Sequence, residues 1–368
     1  MKPLHVAMFV NGDAALPEFA EVNNLNYLIM KREIYVGVFL ALVGVSIVGC
    51  KKDVTNPTPK FDSDLNIASD GKMLIFKTSD DYSKIIDDQN DKDWDLFLSK
   101  VDKMKHTSYT EALEKNKSGE NLIGDENLSE ILNDDWVVQI GDYLYRVNKP
   151  NESVFVLPAA NISEYDDLIT ENKNNPHIRK FSTNEDVIEL AESGAEGQKG
   201  LFCGDSYANQ RNEFISATIP LSYGMVLIIV MRAKYFAAGI YFNLKAFAST
   251  FAQGLSWNDL SSDYPQYVYQ NYGVYLKLDG RRRYKERCKT DTGDHYFSAQ
   301  GTGASEVTIQ SYQGSKGLNK YQLVSNVYFM YNGQWTNVTQ IPSLIPGASI
   351  AQTGNNYPGY YYGVTYGY

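Results

Sequence analysis

Val-Tyr-Phe-Met-Tyr-Asn-Gly-Gln-Trp-Thr-Asn-Val, residues 327–338, decides how the second half of the chain is read. Asn332-Gly333 supplies the positive φ values of a type I′ turn, and the runs on either side are rich in aromatic and β-branched residues, so the stretch predicts a hairpin. The same character extends backwards to Leu201. Residues 225–231 are continuously apolar, and Ile240-Tyr-Phe-Asn-Leu244 and residues 267–269 are β-rich. Short strands with frequent turn signals predict an all-β, immunoglobulin-like sandwich over residues 200–368. Residues 242–251 read equally as a helix.

Residues 273–288 hold the strongest basic cluster. Asp279-Gly280 reads as a turn between a strand carrying Val274, Leu276 and Leu278 and a return strand of alternating charge. An odd-length loop ending at Gly280 puts Tyr284 and Cys288 on the leucine side and leaves Arg283, Lys285 and Arg287 as a stripe in water. That stripe is either a solvated face that discourages edge pairing or an anion-binding site.

The C-terminus is the most unusual composition, with Tyr357, Tyr360, Tyr361, Tyr362, Tyr366 and Tyr368 among glycine and proline. A phenol ring offers a flat apolar face with a hydroxyl handle, suited to stacking on a sugar or to a protein contact. The plainer expectation is a last strand laid on the sandwich with a frayed end.

The first half reads as α+β over residues 70–195. Residues 72–77 predict a strand, Ser79 caps a helix with Tyr82, Ile85 and Ile86 on one face, and Trp94, Phe97, Val101 and Met104 mark a second helix. Asp91, Asp93 and Asp95 alternate like the start of a calcium loop. Leu96 stands where that loop needs Gly and Asp102 where it needs Glu, so carboxylates at a helix N-terminus are the better reading. Residues 136–140, Gly141-Asp142 and residues 143–147 make a hairpin, residues 153–157 add a strand, and 165–170 form a helical turn. Ser182 with Glu185 forms a capping-box pattern ahead of Val187, Ile188 and Leu190.

Lys-Met-Leu-Ile-Phe-Lys (72–77), Asp-Asp-Tyr (80–82) and Leu-Asn-Asp-Asp-Trp-Val-Val-Gln-Ile-Gly-Asp-Tyr-Leu-Tyr-Arg-Val (132–147) resemble a cell-envelope lipoprotein family of gut Bacteroidota with no assigned activity. The resemblance covers roughly residues 70–190. It implies location and architecture, and no catalytic residues.

The N-terminus fits that location. Lys31-Arg32, an uncharged run over 34–48 and Ile47-Val48-Gly49-Cys50 have the layout of a lipoprotein signal, with the cut before Cys50 and acylation there. A retained membrane span would need about 20 apolar residues, more than this run holds. Cys50-Lys51-Lys52-Asp53 is similar to export signals of Bacteroidota surface lipoproteins. Residues 1–29 are acidic where a short basic lead is expected and read as an upstream extension. Residues 30–49 are then the signal and 50–69 a lipid-anchored tether, low in large apolar residues. The expected location is the outer membrane, on the cell surface or facing the periplasm.

The formal net charge of −10 becomes −9 once residues 1–49 are removed, which disfavours a nucleic-acid partner. With Cys50 assigned to lipid, Cys203 and Cys288 either pair in an oxidising compartment or sit apart as buried thiols. No catalytic constellation, metal set or cofactor motif stands out, and His106, His177 and His295 are scattered. The expectation is a non-catalytic binding role, with glycan capture by exposed tyrosines first and protein interaction or adhesion second. A glycoside hydrolase comes third, because paired carboxylates meet in space rather than in sequence.

Overall fold

Hydrophobic alternation and a few capped helices build three sheets. A computed structural model describes residues 61–62, 64–87, 91–104, 106–116, 121–193, 207–221, 225–254, 273–286, 289–290, 293–331, 333–353, 355–357 and 361–367. All of them fall within the compact unit Pro57–Tyr368. The protein is mostly β, with a small helical part. Among the described residues no helix is long and apolar enough to cross a membrane.

The first sheet runs in chain order through β1 (Ile67–Ser69), β2 (Leu74–Phe76), β3 (Val137–Ile140), β4 (Tyr143–Asn148), β5 (Ser153–Pro158) and β6 (Arg179–Ser182). Only β2 and β3 are parallel, because four helices lie between them in the chain: α1 (Ser79–Ile86), α2 (Asp91–Val101), α3 (Tyr109–Asn116) and α4 (Glu126–Ile131). These helices cover one face, where Tyr82, Phe97, Leu128 and Ile131 pack on Phe76, Val138 and Tyr145. The other face carries Ile75, Val137, Leu144 and Phe155 under Leu168 of α5 (Tyr165–Ile169). Burial on both faces explains the near-continuous apolar runs of β3 to β5.

Local signals hold here with small shifts. The 136–147 hairpin forms as expected, with Gly141 at φ +57° and Ile140 opposite Tyr143. Thr78, one residue before the expected Ser79, caps α1 by accepting from the Asp81 backbone N–H at 3.1 Å. Glu185 does accept the Ser182 backbone N–H at 2.7 Å, but the helix that follows, α6 (Val187–Glu192), is capped by Asp186. The tether expected to reach residue 69 ends earlier. Ile67 is fully buried in β1 and pairs with Phe76, so ordering it removes apolar surface from water.

The second half forms two antiparallel sheets around a common core. One has the order β13 (Glu306–Gly314), β9 (Phe242–Gly254), β8 (Met225–Ala237), β7 (Arg211–Pro220), β16 (Ser349–Gln352). The other runs β11 (Lys289–Thr290), β10 (Val274–Glu286), β14 (Leu318–Tyr331), β18 (Tyr361–Tyr366), β17 (Asn355–Tyr357). To it β12 (His295–Gly303) adds beside β10, and β15 (Gln334–Asn337) beside β14. Ile229, Met231, Leu244 and Ala246 of the first sheet and Leu276, Leu278, Leu323 and Phe329 of the second share one apolar cluster. Residues 242–251 are therefore strand, not helix. The opening hairpin is present, with Tyr331 opposite Gln334 and Gly333 at φ +77°.

The Asp279-Gly280 turn does not form. Strand β10 runs straight through it, because Gly280 lies where the Phe297 ring and the Gln322 carbonyl come close: an added Cβ would stand 2.3 Å from each. Alternation then continues, which sends Arg282 inward among the rings of Tyr284, Phe297 and Tyr312, where it donates to the Ser311 carbonyl at 2.6 Å.

The two halves share a joint. The end of the β8–β9 hairpin places Phe236, Ala238, Ile240 and Tyr241 in the helical core of the first half. Gly239, at φ +76°, exchanges backbone hydrogen bonds with Thr183 and Val187. Beneath it Asn243 and Lys245 reach Asp125, and Gln313 accepts from Tyr241 and Asn127 while donating to the Ile86 carbonyl.

Candidate ligand-binding face

The strand register of the second sheet assembles an aromatic group that is dispersed in the sequence. Val274, Leu276 and Leu278 face the core, so Tyr275 faces outward on β10. The β10–β14 register sets it opposite Tyr328, and the hairpin brings Trp335 alongside across from Met330. The Tyr275 ring lies 5.6 Å from Tyr328 and 5.9 Å from Trp335, with planes tilted by 50° and 53°. Trp335 is 46 % exposed, and its ring edge covers the backbone of Gly273. The three rings form a shallow tilted cradle rather than a flat patch.

Polar groups continue from the cradle. The Tyr275 hydroxyl donates to Gln300 Oε1 at 2.9 Å, Ser298 Oγ donates to Asp279 at 2.7 Å, and Lys277 lies 3.7 Å from Asp279. Asn326, opposite Lys277, has a buried Oδ1 with no hydrogen-bond partner. An aromatic surface beside hydroxyl, amide and charged groups can stack on an apolar ring face while hydrogen-bonding its edge.

The residues singled out from the sequence lie elsewhere. Tyr366 is half-buried, stacked on Tyr321 at 6.0 Å with the Arg211 guanidinium over it, so it is part of the packing and not an open platform. Tyr361 and Tyr362 lie in β18 beside β14, and Tyr357 in β17 pairs with Tyr361; this is the last strand laid on the sheet. Tyr360, Tyr368, Cys50, Cys203, Cys288 and Arg287 lie outside the described residues.

The expected basic stripe is not in water. Arg283 is paired with Asp294 at 2.6 Å, and Arg281 shares that carboxylate at 3.2 Å. Lys285 is only 5 % exposed. A bulge between Arg283 and Tyr284 in the β10–β14 register, together with Asp294 ahead of β12, draws the two arginines into a half-buried ion-pair group.

Glu164 and Asp167 form one carboxylate pair, and its hydrogen bonds do not suit a general acid. Glu164 and Asp167 line a shallow open depression with Asn172, Asn175 and His177, and both accept from the Asn175 amide, at 2.7 and 2.8 Å. The Asn175, His177 and Asn161 hydrogen bonds hold Glu164 down to about 2, and those from Asn172 and Asn175 lower Asp167. Neither keeps the proton that a general acid must deliver. Asp186 is pushed the other way, up to about 7, by burial with Glu189 nearby, and it is only 4 % exposed where it caps α6 beside the joint. Among the described residues no group of His, Cys, Asp or Glu could hold a metal ion.

No protein-family model, curated protein or solved structure matches the chain. The site rests on geometry alone. Period-two alternation around Leu276 and Phe329 is the sequence signal that turns Tyr275 and Tyr328 outward; their pairing is set by a long-range register that local sequence does not carry.

Proposed function

We propose that the chain is a lipid-anchored cell-envelope protein with a non-catalytic role, binding glycans on the outer face of its larger sheet. The observation that carries this is the tilted group of half-buried Tyr275 and Tyr328 with exposed Trp335, flanked by hydrogen-bonding side chains. Aromatic faces stack on the apolar faces of pyranose rings, and the adjoining polar groups meet the hydroxyls. The proposed ligand-binding residues are these three, and of the C-terminal tyrosines Tyr366 is taken up in packing.

The lipoprotein signal over residues 30–50 and the resemblance to Bacteroidota envelope lipoproteins support acylation of Cys50 and an outer-membrane location, on the cell surface or facing the periplasm. The acidic net charge supports a partner other than nucleic acid. The immunoglobulin-like form of the second half belongs to the same proposal. Two antiparallel layers around one core support it, whereas the sequential pairing β7–β8–β9 is a meander rather than a Greek key.

A second reading, protein interaction or adhesion, is favoured by the outer face of the five-stranded sheet. There Phe214, Ile228, Val230, Phe247 and Phe251 stand half-buried on the side away from the core.

The deciding experiment is binding of the purified protein and its Trp335→Ala variant to a panel of host and dietary polysaccharides. Trp335 is half-exposed and packs on Tyr275 and Gly273, so the variant should lose about 1–3 kcal/mol, and a thermal melt checks that it remains folded. Binding that falls at least tenfold in the variant supports the glycan reading. Binding by neither protein, or equally by both, rejects the face and moves the search to protein partners.

A further inference from the structure

The aromatic cradle lies at one end of a longer outward-facing row. On β10 the outward positions after Tyr275 are Lys277, Asp279 and Arg281, and opposite Arg281 in β12 stands Tyr296, 75 % exposed. Six residues separate Tyr275 from Arg281, which at the rise of an antiparallel strand is about 20 Å. Gln300 and Ser298 of β12, both exposed, alternate along the interval. The charges beside the row are paired on the face itself, Lys277 with Asp279, and Arg281 and Arg283 both with Asp294, which leaves one positive charge over at the Tyr296 end.

We infer that this row is one extended glycan-binding surface with two aromatic stations, the Tyr275–Trp335 cradle and Tyr296, and that its ligand is a linear, β-1,4-linked polysaccharide lying along β10 and β12. The inference rests on the glycan reading of the cradle and adds the class of chain and the second contact. Successive rings of β-1,4-linked pyranoses lie nearly in line, so such a chain stays over a strand for 20 Å; an α-1,4-linked glucan coils away from it. The Gln300 amide and the Ser298 hydroxyl between the stations match a row of sugar hydroxyls. A ligand reaching both stations gains the second contact without a second cost of association, so affinity depends on length.

The test is a titration of the purified protein with cello-, manno- and xylo-oligosaccharides, each from disaccharide to octasaccharide, with malto-oligosaccharides as the coiled contrast. The wild-type protein, Tyr296→Ala and Trp335→Ala are compared. The expected result is affinity that climbs with length in a β-1,4 series until both stations are spanned. Tyr296→Ala should then lower the affinity of the longest oligomers about tenfold and leave the disaccharide unchanged, while Trp335→Ala weakens every length. A flat length dependence, an unaltered octasaccharide affinity in Tyr296→Ala, or a preference for the malto series overturns the extended surface, with the cradle left standing by its Trp335 dependence. Absence of binding by any series, or indifference to Trp335→Ala, overturns the cradle and this inference with it.

Discussion

The two halves reach burial by opposite means. In the first, strands of three to six residues lie under helices on one face and loops on the other, and most residues of β1 to β5 are inside. In the second, strands as long as 14 residues bury every other side chain and present the rest to the outside. A segment buried on both faces has no residues left over for recognition. A long half-buried strand displays a row of them at fixed spacing, which is why the candidate face lies on β10, β12, β14 and β15.

The comparison breaks most severely at the joint. Gly239 combines a left-handed φ with a Cβ position 2.6 Å from Val154 and 2.8 Å from Val187, so Gly239→Ala should cost about 3 kcal/mol through strain and overpacking. Chemical denaturation followed by two probes, Trp136 fluorescence for the first half and Trp335 for the second in single-Trp variants, should show both transitions moving together. Movement of one alone would mean that the halves unfold separately and that the β8–β9 tip is a dispensable contact.

Asp186 sharpens the comparison through pH. Its folded form holds a proton, at about 7, that the unfolded chain releases near 3.8. The folded state therefore binds more protons between those values, and stability falls as pH rises through that window. Asp186→Asn keeps a capping acceptor and removes this loss, so the variant should match the parent near pH 4 and exceed it by up to roughly 4 kcal/mol at pH 8. His106 acts in the opposite sense within the first half. Burial lowers it to about 4 from 6.5, so its contribution is present above 6.5 and lost as pH falls towards 4. Thermal melts of parent and variant across pH 4–8 separate the two, and equal pH profiles would refute the role given to Asp186.

The smallest effect concerns the polar seam. Tyr241→Phe deletes the hydroxyl that donates to Gln313 Oε1 at 3.0 Å, leaving that oxygen its bonds from Asn127 and Gln310. A loss of about 1 kcal/mol is expected in urea titrations. A loss several times larger would show that the seam, rather than the apolar tip, holds the halves together.

Legibility followed the range of the interactions. Gly141-Asp142 and Asn332-Gly333 each specify a hairpin within a dozen residues, and both form as read. Asp279-Gly280 carries the same dipeptide logic and fails, since what occupies the space is Phe297 from another strand. The C-terminal tyrosines drew the eye by composition, yet β18 spends Tyr366 on packing against Tyr321. The rings that do face outward are unremarkable in sequence and become neighbours only through pairing across more than 50 residues.

By itself the sequence determined the acidic balance, the helices and tight hairpins of the first half and the β character of the second, because each depends on charge, hydrophobic period or turn chemistry within a short window. Only the tertiary structure decided that Asp294 would pair with both Arg281 and Arg283, that residues 236–241 would complete the first core, and that Tyr275, Tyr328 and Trp335 would stand together. Those outcomes depend on which strand lies beside which, and strand register is set by the sum of core contacts made by residues far apart in the chain.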